Sequence, residues 1–195
     1  MPEAPELEVI KDYLNERIVG ATIREALVLK PSVLRSFAGD FVTDIRGRTF
    51  DGKVERRGKF MSYPVSGERL LLINNMLTGA FQYCPPSERR LRSTCFVLGL
   101  SNGLELRYVD EKQMGRVYYL QPAQVELVPQ INEYGPDVLD EITFEEFRQR
   151  LKPFRGEIKG VLTNGRFISG IGNAYSDEIL FAAMVYPFKK VSKLS

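Results

Sequence analysis

Apolar residues recur at Leu7, Ile10, Leu14 and Ile18, a spacing that predicts an amphipathic helix opening near Pro5 and stopping at Gly20. Pro5 presets the backbone for a first turn, and Glu6 and Glu8 stand where the helix dipole favours negative charge. Beyond it, as far as Pro129, the rhythm shortens. Runs rich in β-formers at 22–29, 41–50, 69–73, 94–100, 104–109 and 116–120 alternate with turn residues and predict strands. Asn102-Gly103 is the clearest turn signal and predicts a tight hairpin between 96–100 and 104–108. After Tyr134-Gly135-Pro136 the helical period returns. Thr143 and Glu146 form a capping-box pair, Phe144, Phe147 and Leu151 supply an apolar face, and Lys152-Pro153 ends it. The predicted fold class is α+β. An N-terminal antiparallel β-sandwich or barrel-like domain with flanking helices (residues 1–130) precedes an all-helical domain (131–195), and the boundary falls near 129–137.

Within the helical part, one short helix is expected to stop at Asn164-Gly165. A glycine-rich turn through Gly170 and Gly172 follows, and a new helix begins near Asn173 and continues through Glu178, Leu180 and Met184. Helix, two turns, helix is the implied layout. Asn173 beside free helix-start amides, with Arg155 and Lys159 nearby, has the parts of a phosphate clamp. The other reading of the same residues is that the glycines permit tight helix packing and Asn173 is simply a cap.

Composition narrows the chemistry. The 195 residues are 44% hydrophobic, enough to bury a core, and no run approaches the ~18 apolar residues of a membrane span. The acidic N-terminus does not resemble a signal peptide, so the cytoplasm is the default expectation. With no histidine and only Cys84 and Cys95, the chain cannot assemble a four-ligand zinc site of the usual kind, and neither Ser-His nor Cys-His catalysis is open to it. Carboxylate, lysine or amine chemistry remains. Charge is uneven: from Arg148 onward nine Lys or Arg face three Asp or Glu, a balance of +6 within a total of +2. A second basic cluster, Lys53, Arg56, Arg57 and Lys59, could join this region in gripping a polyanion; either run could equally be a solvated face.

The first residues, Met1-Pro2-Glu3-Ala4-Pro5-Glu6-Leu7-Glu8, offer a nucleophile. Removal of Met1 would leave Pro2 with a free secondary amine, able to attack an electrophilic carbon and form an iminium ion while a neighbouring carboxyl moves protons. A retained Met1 would acylate that nitrogen and block the reaction. The competing reading is that Pro-Glu-x-Pro-Glu is only a good helix start.

Four segments in order, Met1 to Glu8, Arg-Arg-Gly-Lys-Phe at 56–60, Tyr-Gly-Pro-Asp-Val-Leu at 134–139 and Gly-Ile-Gly-Asn-Ala-Tyr-Ser-Asp-Glu-Ile-Leu-Phe at 170–181, resemble the formamidopyrimidine-DNA glycosylase and endonuclease VIII family of base-excision repair enzymes. The resemblance spans nearly the whole chain. It implies a DNA glycosylase with AP lyase activity that excises oxidised bases from double-stranded damaged DNA, as a monomer, without a metal or diffusible cofactor. It implies that Pro2 attacks C1′ of the damaged nucleotide, Glu3 moves protons around the sugar, and Lys59 contacts phosphate or base and assists elimination. It further implies that Arg155, Lys159 and Asn173 hold the DNA backbone, and that Glu6 is structural or organises the base pocket.

The chain departs from that pattern in three places. The family's C-terminal finger, which supplies an arginine, is absent, and a stop at Leu194-Ser195 reads as a fragment. The family's Asp-Pro-Arg-Arg-Phe-Gly loop is here Asp110-Glu111-Lys112-Gln113-Met114-Gly115, leaving Gln113 and Met114 to face the gap left by a flipped base. His-Leu-Gly-Met-Ser-Gly becomes Asn74-Asn75-Met76-Leu77-Thr78-Gly79, with Leu77 where methionine inserts. Two other classes therefore stay open: a non-catalytic binder of bent or damaged DNA, and a protein-interaction domain with incidental basic patches.

Overall fold

A computed structural model describes residues 1–194 and divides the chain into two compact units, Met1–Pro129 and Gln130–Ser195. In the first unit the order is α1 (Ala4–Ile18), β1 (Ile23–Val28), β2 (Leu34–Ser36), α2 (Phe41–Ile45), β3 (Glu55–Arg57), β4 (Phe60–Val65), β5 (Arg69–Asn74), β6 (Gly79–Cys84), β7 (Thr94–Leu100), β8 (Glu105–Asp110) and β9 (Arg116–Leu120). The strands form two sheets, ordered β1-β7-β8-β6 and β2-β9-β5-β4-β3. Both contribute to one core. Phe96, Leu98, Leu106 and Tyr108 from the first sheet join Met61, Tyr63, Leu71, Ile73, Val117 and Tyr119 from the second, which makes the unit the expected sandwich. Helix α1 buries Leu7, Leu14 and Ile18 against the same core and ends as expected, with Gly20 in the left-handed region (φ 84°) that a side chain disfavours.

The pairing is antiparallel except at β2–β9, a parallel edge pair, so the sheets are not wholly antiparallel. The β7–β8 hairpin turns through Asn102-Gly103 with Gly103 at φ 83°. Residues 41–50, expected as a strand, instead begin with α2. Asp40 accepts a hydrogen bond from the Thr43 amide at 2.8 Å, and Phe41 and Ile45, four apart, bury one helical face. Phe41 meets Phe96 of one sheet and Tyr119 of the other at ring-centroid distances of 5.9 and 5.2 Å. Burial of two aromatic-lined positions outweighs the β propensity of Val42, Thr43 and Ile45. Strands β2, β3, β4 and β6 lie outside the predicted runs, at 34–36, 55–57, 60–65 and 79–84.

The second unit holds α3 (Phe144–Leu151), α4 (Ile158–Leu162) and α5 (Asn173–Ala182) around a separate core of Ile158, Val161, Leu162, Phe167, Ile168, Ile171 and Leu180. The Thr143/Glu146 capping box is present, the Glu146 amide donating to Thr143 Oγ1 at 3.2 Å. Helix α4 ends at Leu162, two residues before Asn164, and α5 stops at Ala182, so Met184 lies outside the helix with φ 54°. The segment Tyr134 to Leu139 braces the turns between α4 and α5. The Gly135 amide donates to the Gly165 carbonyl at 2.8 Å, the Val138 amide to the Ser169 carbonyl at 2.9 Å, and the Ser169 amide to the Pro136 carbonyl at 2.8 Å. Among the described residues no helix is long and apolar enough to cross a membrane.

Asp44 ties α2 to strands β5 and β9. It accepts from Arg69 Nε at 2.8 Å, Tyr119 Oη at 2.6 Å and Arg48 Nη2 at 2.8 Å. Burial pushes its carboxyl up, but these donors outweigh burial and hold the pKa at about 2. A depressed carboxyl stabilises the fold above its unfolded value and loses that contribution as pH falls toward the folded one. Asp44→Asn is therefore expected to be less stable than the parent by on the order of 2 kcal/mol at pH 7. In paired thermal melts the difference should shrink as pH falls from about 4 to about 2, where the parent protonates as well.

Candidate functional site

The start of α1 is anchored from both sides. Glu3 is the N-cap, its amide donates to Glu6 Oε2 at 2.9 Å, and the reciprocal contact completes a capping box. Glu3 is 5% exposed, so its carboxylate is held in a largely dry setting, while Pro2 immediately before it is half-buried. One helical turn further on, Glu8 accepts from Arg56 Nε at 2.6 Å, and Arg56 Nη1 donates to the Gly58 carbonyl at 2.9 Å. Asn15 adds a second clamp to this edge, exchanging two bonds with the Val54 backbone at 2.6 and 3.0 Å.

The consequence is the position of Lys59. It sits in the turn between β3 and β4, directly after Gly58, and lies near enough to Glu3 for that carboxylate to act on its ammonium. Burial pushes the Lys59 pKa below the usual lysine value, and the Glu3 charge opposes the shift. Pro2, Glu3 and Lys59 thus occupy one corner of the first unit, with Glu6 as the brace of Glu3. Arg56, grouped in the sequence with a basic surface cluster, is instead an interior ion-pair partner with a 3% exposed side chain. That correction follows from Glu8, whose position opposite β3 depends on the helix packing and is invisible in the local sequence.

Two loops at one end of the sandwich carry the remaining first-unit candidates. Leu77 lies in the β5–β6 loop and Gln113 and Met114 in the β8–β9 loop; Leu77 and Met114 are 47% and 46% exposed. Gln113 (φ 51°) accepts from Ser32 Oγ at 2.8 Å through Oε1. The loops are tied by Asp110, which is fully buried. Its Oδ1 accepts from the Thr78 hydroxyl and its Oδ2 from the Gly115 amide at 2.6 Å, while the Lys112 amide donates to Thr78 Oγ1 at 3.1 Å. Beneath them, Gly79 and Gly115 both abut the Tyr108 hydroxyl, so neither has room for a Cβ. Sequence reading did not single out Asp110 or Thr78.

In the second unit, Asn173 is the first residue of α5 rather than its cap, which is Gly172, and its side chain is exposed. Lys159 on α4 reaches across to Asp177 on α5, with Nζ 2.7 and 2.8 Å from its two carboxylate oxygens. Asp177 is four residues beyond Asn173 and shares its face of the helix, so the Lys159 ammonium is held one turn from the α5 N-terminus. Spacing from Asn173 was the available signal for Asp177. Arg155 is turned differently: its Nη1 donates to the carbonyls of Lys152 and Phe154 at 2.6 and 3.2 Å, closing the end of α3.

If Glu3 sets the environment of Lys59 as described, Glu3→Gln removes the one influence that raises the lysine pKa. Titration of the Lys59 ammonium followed by NMR is expected to move to lower pH in that variant; an unchanged midpoint would show that the two groups do not sense each other.

Two protein-family models match the chain: the formamidopyrimidine-DNA glycosylase N-terminal domain over residues 1–117 and the formamidopyrimidine-DNA glycosylase H2TH domain over residues 134–195. Among curated relatives, the formamidopyrimidine-DNA glycosylase of Symbiobacterium thermophilum is 34% identical over 197 residues, covering 100% of this chain and 64% of the relative. That of Desulforamulus reducens is 35% identical over 189 residues, covering 96% of this chain and 68% of the relative. The chain thus spans about two thirds of their length. A solved complex between the Lactococcus lactis Fpg (MutM) and a FAPY-dG containing DNA shares the fold with a TM-score of 0.90, at 23% identity, covering 99% of this chain and 72% of that one.

Proposed function

The chain belongs to the formamidopyrimidine-DNA glycosylase family, and on that footing we propose that it is a base-excision DNA glycosylase with AP lyase activity on oxidised bases in double-stranded DNA. The observation that carries the proposal is the corner where a buried Glu3 caps α1 directly after Pro2 and Lys59 is brought within its field.

With Met1 removed, the Pro2 nitrogen is a secondary amine whose pKa near ~8 leaves an appreciable neutral fraction at physiological pH. Its lone pair forms a bond to C1′ of an extruded nucleotide as the C1′–base bond breaks, the base leaving with the bonding pair and taking a proton from water. The new ammonium gives its proton to the Glu3 carboxylate, Glu3 passes it to the sugar ring oxygen, and the ring opens as the freed nitrogen lone pair forms the C1′ iminium. Loss of a C2′ proton then expels the 3′ phosphate, and Lys59 assists by contact with phosphate or base. Glu6 serves indirectly, holding the Glu3 amide. The nucleophile and the acid are both supplied by the chain, so the scheme calls for no metal or diffusible cofactor.

The reaction needs the nucleotide out of the stack. Leu77, Gln113 and Met114 are assigned to the space it vacates, and Asn173, Lys159 and Arg155 to backbone phosphates, with the α5 N-terminus adding its dipole. The Lys159–Asp177 pair is a surface pair of small net worth, so a phosphate can displace the carboxylate without much loss.

A second reading, a binder of damaged DNA without catalysis, is favoured by one observation: Lys112-Gln113-Met114 stands where the family carries two arginines and an aromatic. Borohydride trapping separates the two. Protein shown by intact mass to lack Met1 is expected to give a covalent adduct with duplexes bearing an abasic site or an oxidised base. Pro2→Gly should give none on this route, and Glu3→Gln should slow base excision by ~10²-fold or more. Salt-sensitive binding with no adduct from Met-free protein would leave the binder; no binding at low salt would remove both readings. Lys159→Ala is expected to weaken binding across sequences and to reduce the log–log salt slope by about 1, measured by fluorescence anisotropy.

A further inference from the structure

We propose that Asp110 is a positioning residue that couples the two loops carrying Leu77 and Met114, making them one two-pronged wedge that enters the duplex as a unit. This rests on the reading above that these loops face the vacated space in DNA. The geometry is specific to the loops. Asp110 ends β8, opposite Gly79 at the start of β6, and its amide is fixed by the Ser93 carbonyl at 2.8 Å. Its two carboxylate oxygens then divide their work, one to the Thr78 hydroxyl next to Leu77 and the other to the Gly115 amide next to Met114. Thr78 closes the circuit by accepting from the Lys112 amide at 3.1 Å.

Neither prong can move far without breaking a hydrogen bond to a buried carboxylate, whose unmet oxygen would then lie in a dry site. Each prong is exposed although apolar, and each is next to a residue in the left-handed region, Met76 at φ 48° and Gln113 at φ 51°. An arrangement strained in backbone and poor in burial is one that the protein holds ready for an apolar partner, which unstacked bases supply. Holding the loops before binding also means that their ordering entropy is not subtracted from the insertion step.

The test uses a duplex with a tetrahydrofuran abasic analogue opposite 2-aminopurine, whose fluorescence rises when it is unstacked. The parent protein is expected to bind this duplex more tightly than an intact one and to raise the signal. Thr78→Val, which exchanges the hydroxyl for a methyl, should weaken binding ~10-fold and lower the saturating signal, and Thr78→Ser should restore both. Because Thr78→Val could disturb folding, a double-mutant cycle on Leu77→Ala and Met114→Ala gives an independent measure. Coupled prongs predict that either single change loses nearly as much as the pair. Strictly additive losses, or a Thr78→Val protein equal to the parent, overturn the coupling while leaving the glycosylase reading intact. A parent protein that does not prefer the abasic duplex overturns the DNA reading itself and the coupling with it.

Discussion

The part-buried ion pair between Glu8 and Arg56 is the constraint on which the geometry of the first unit's candidate corner depends. It joins α1 to β3, and because the same guanidinium also holds the Gly58 carbonyl, it fixes the turn that carries Lys59 relative to the helix start. A pair of this kind contributes little net stability compared with apolar substitutes, and Glu8 keeps Lys11 as a second cationic partner. Its value lies in geometry. The side chain of Arg56 makes one helix end and one strand turn into a single rigid corner, and Glu3 and Lys59 inherit their relation from it.

What could be read from the chain follows from the range of each interaction. Helix α1 was legible because Leu7, Leu14 and Ile18 mark a face and Gly20 marks a stop, all within one local window. The β7–β8 hairpin was legible for the same reason, since Asn102-Gly103 states the turn by itself. The stretch from Phe41 was not: its residues favour strands, and contact with Phe96 and Tyr119, more than fifty residues away, joins the Asp40 cap in making it a helix. Pro64 within β4 hid another strand, although its pairing with Leu70 shows a tolerated place.

The candidate site was legible as residue types and not as relations. Pro2, Glu3, Lys59 and Asn173 stood out by motif. Arg56 looked like a surface cation, Asp110 and Thr78 were not singled out, and Asp177 had only its spacing from Asn173, because each matters through a partner supplied by another element. Arg155 shows the reverse: a basic residue in the right segment whose guanidinium closes α3 in this structure. Charge in sequence gives the supply of cations; the fold decides which of them are already engaged.

The two glycines packed on Tyr108 differ in what else surrounds them. At Gly115 the obstruction comes from the Tyr108 side chain, with the Asp110 carboxylate next, whereas at Gly79 the backbone of Asn75 blocks the same space as well. A Cβ at position 115 would still meet the Tyr108 ring carbon at 2.9 Å and the Asp110 carboxylate at 3.0 Å if residue 108 lost its hydroxyl, while at position 79 it would meet main-chain atoms. Any residue larger than glycine at 115 thus demands that two side chains repack together, and at 79 it demands that the backbone itself give way.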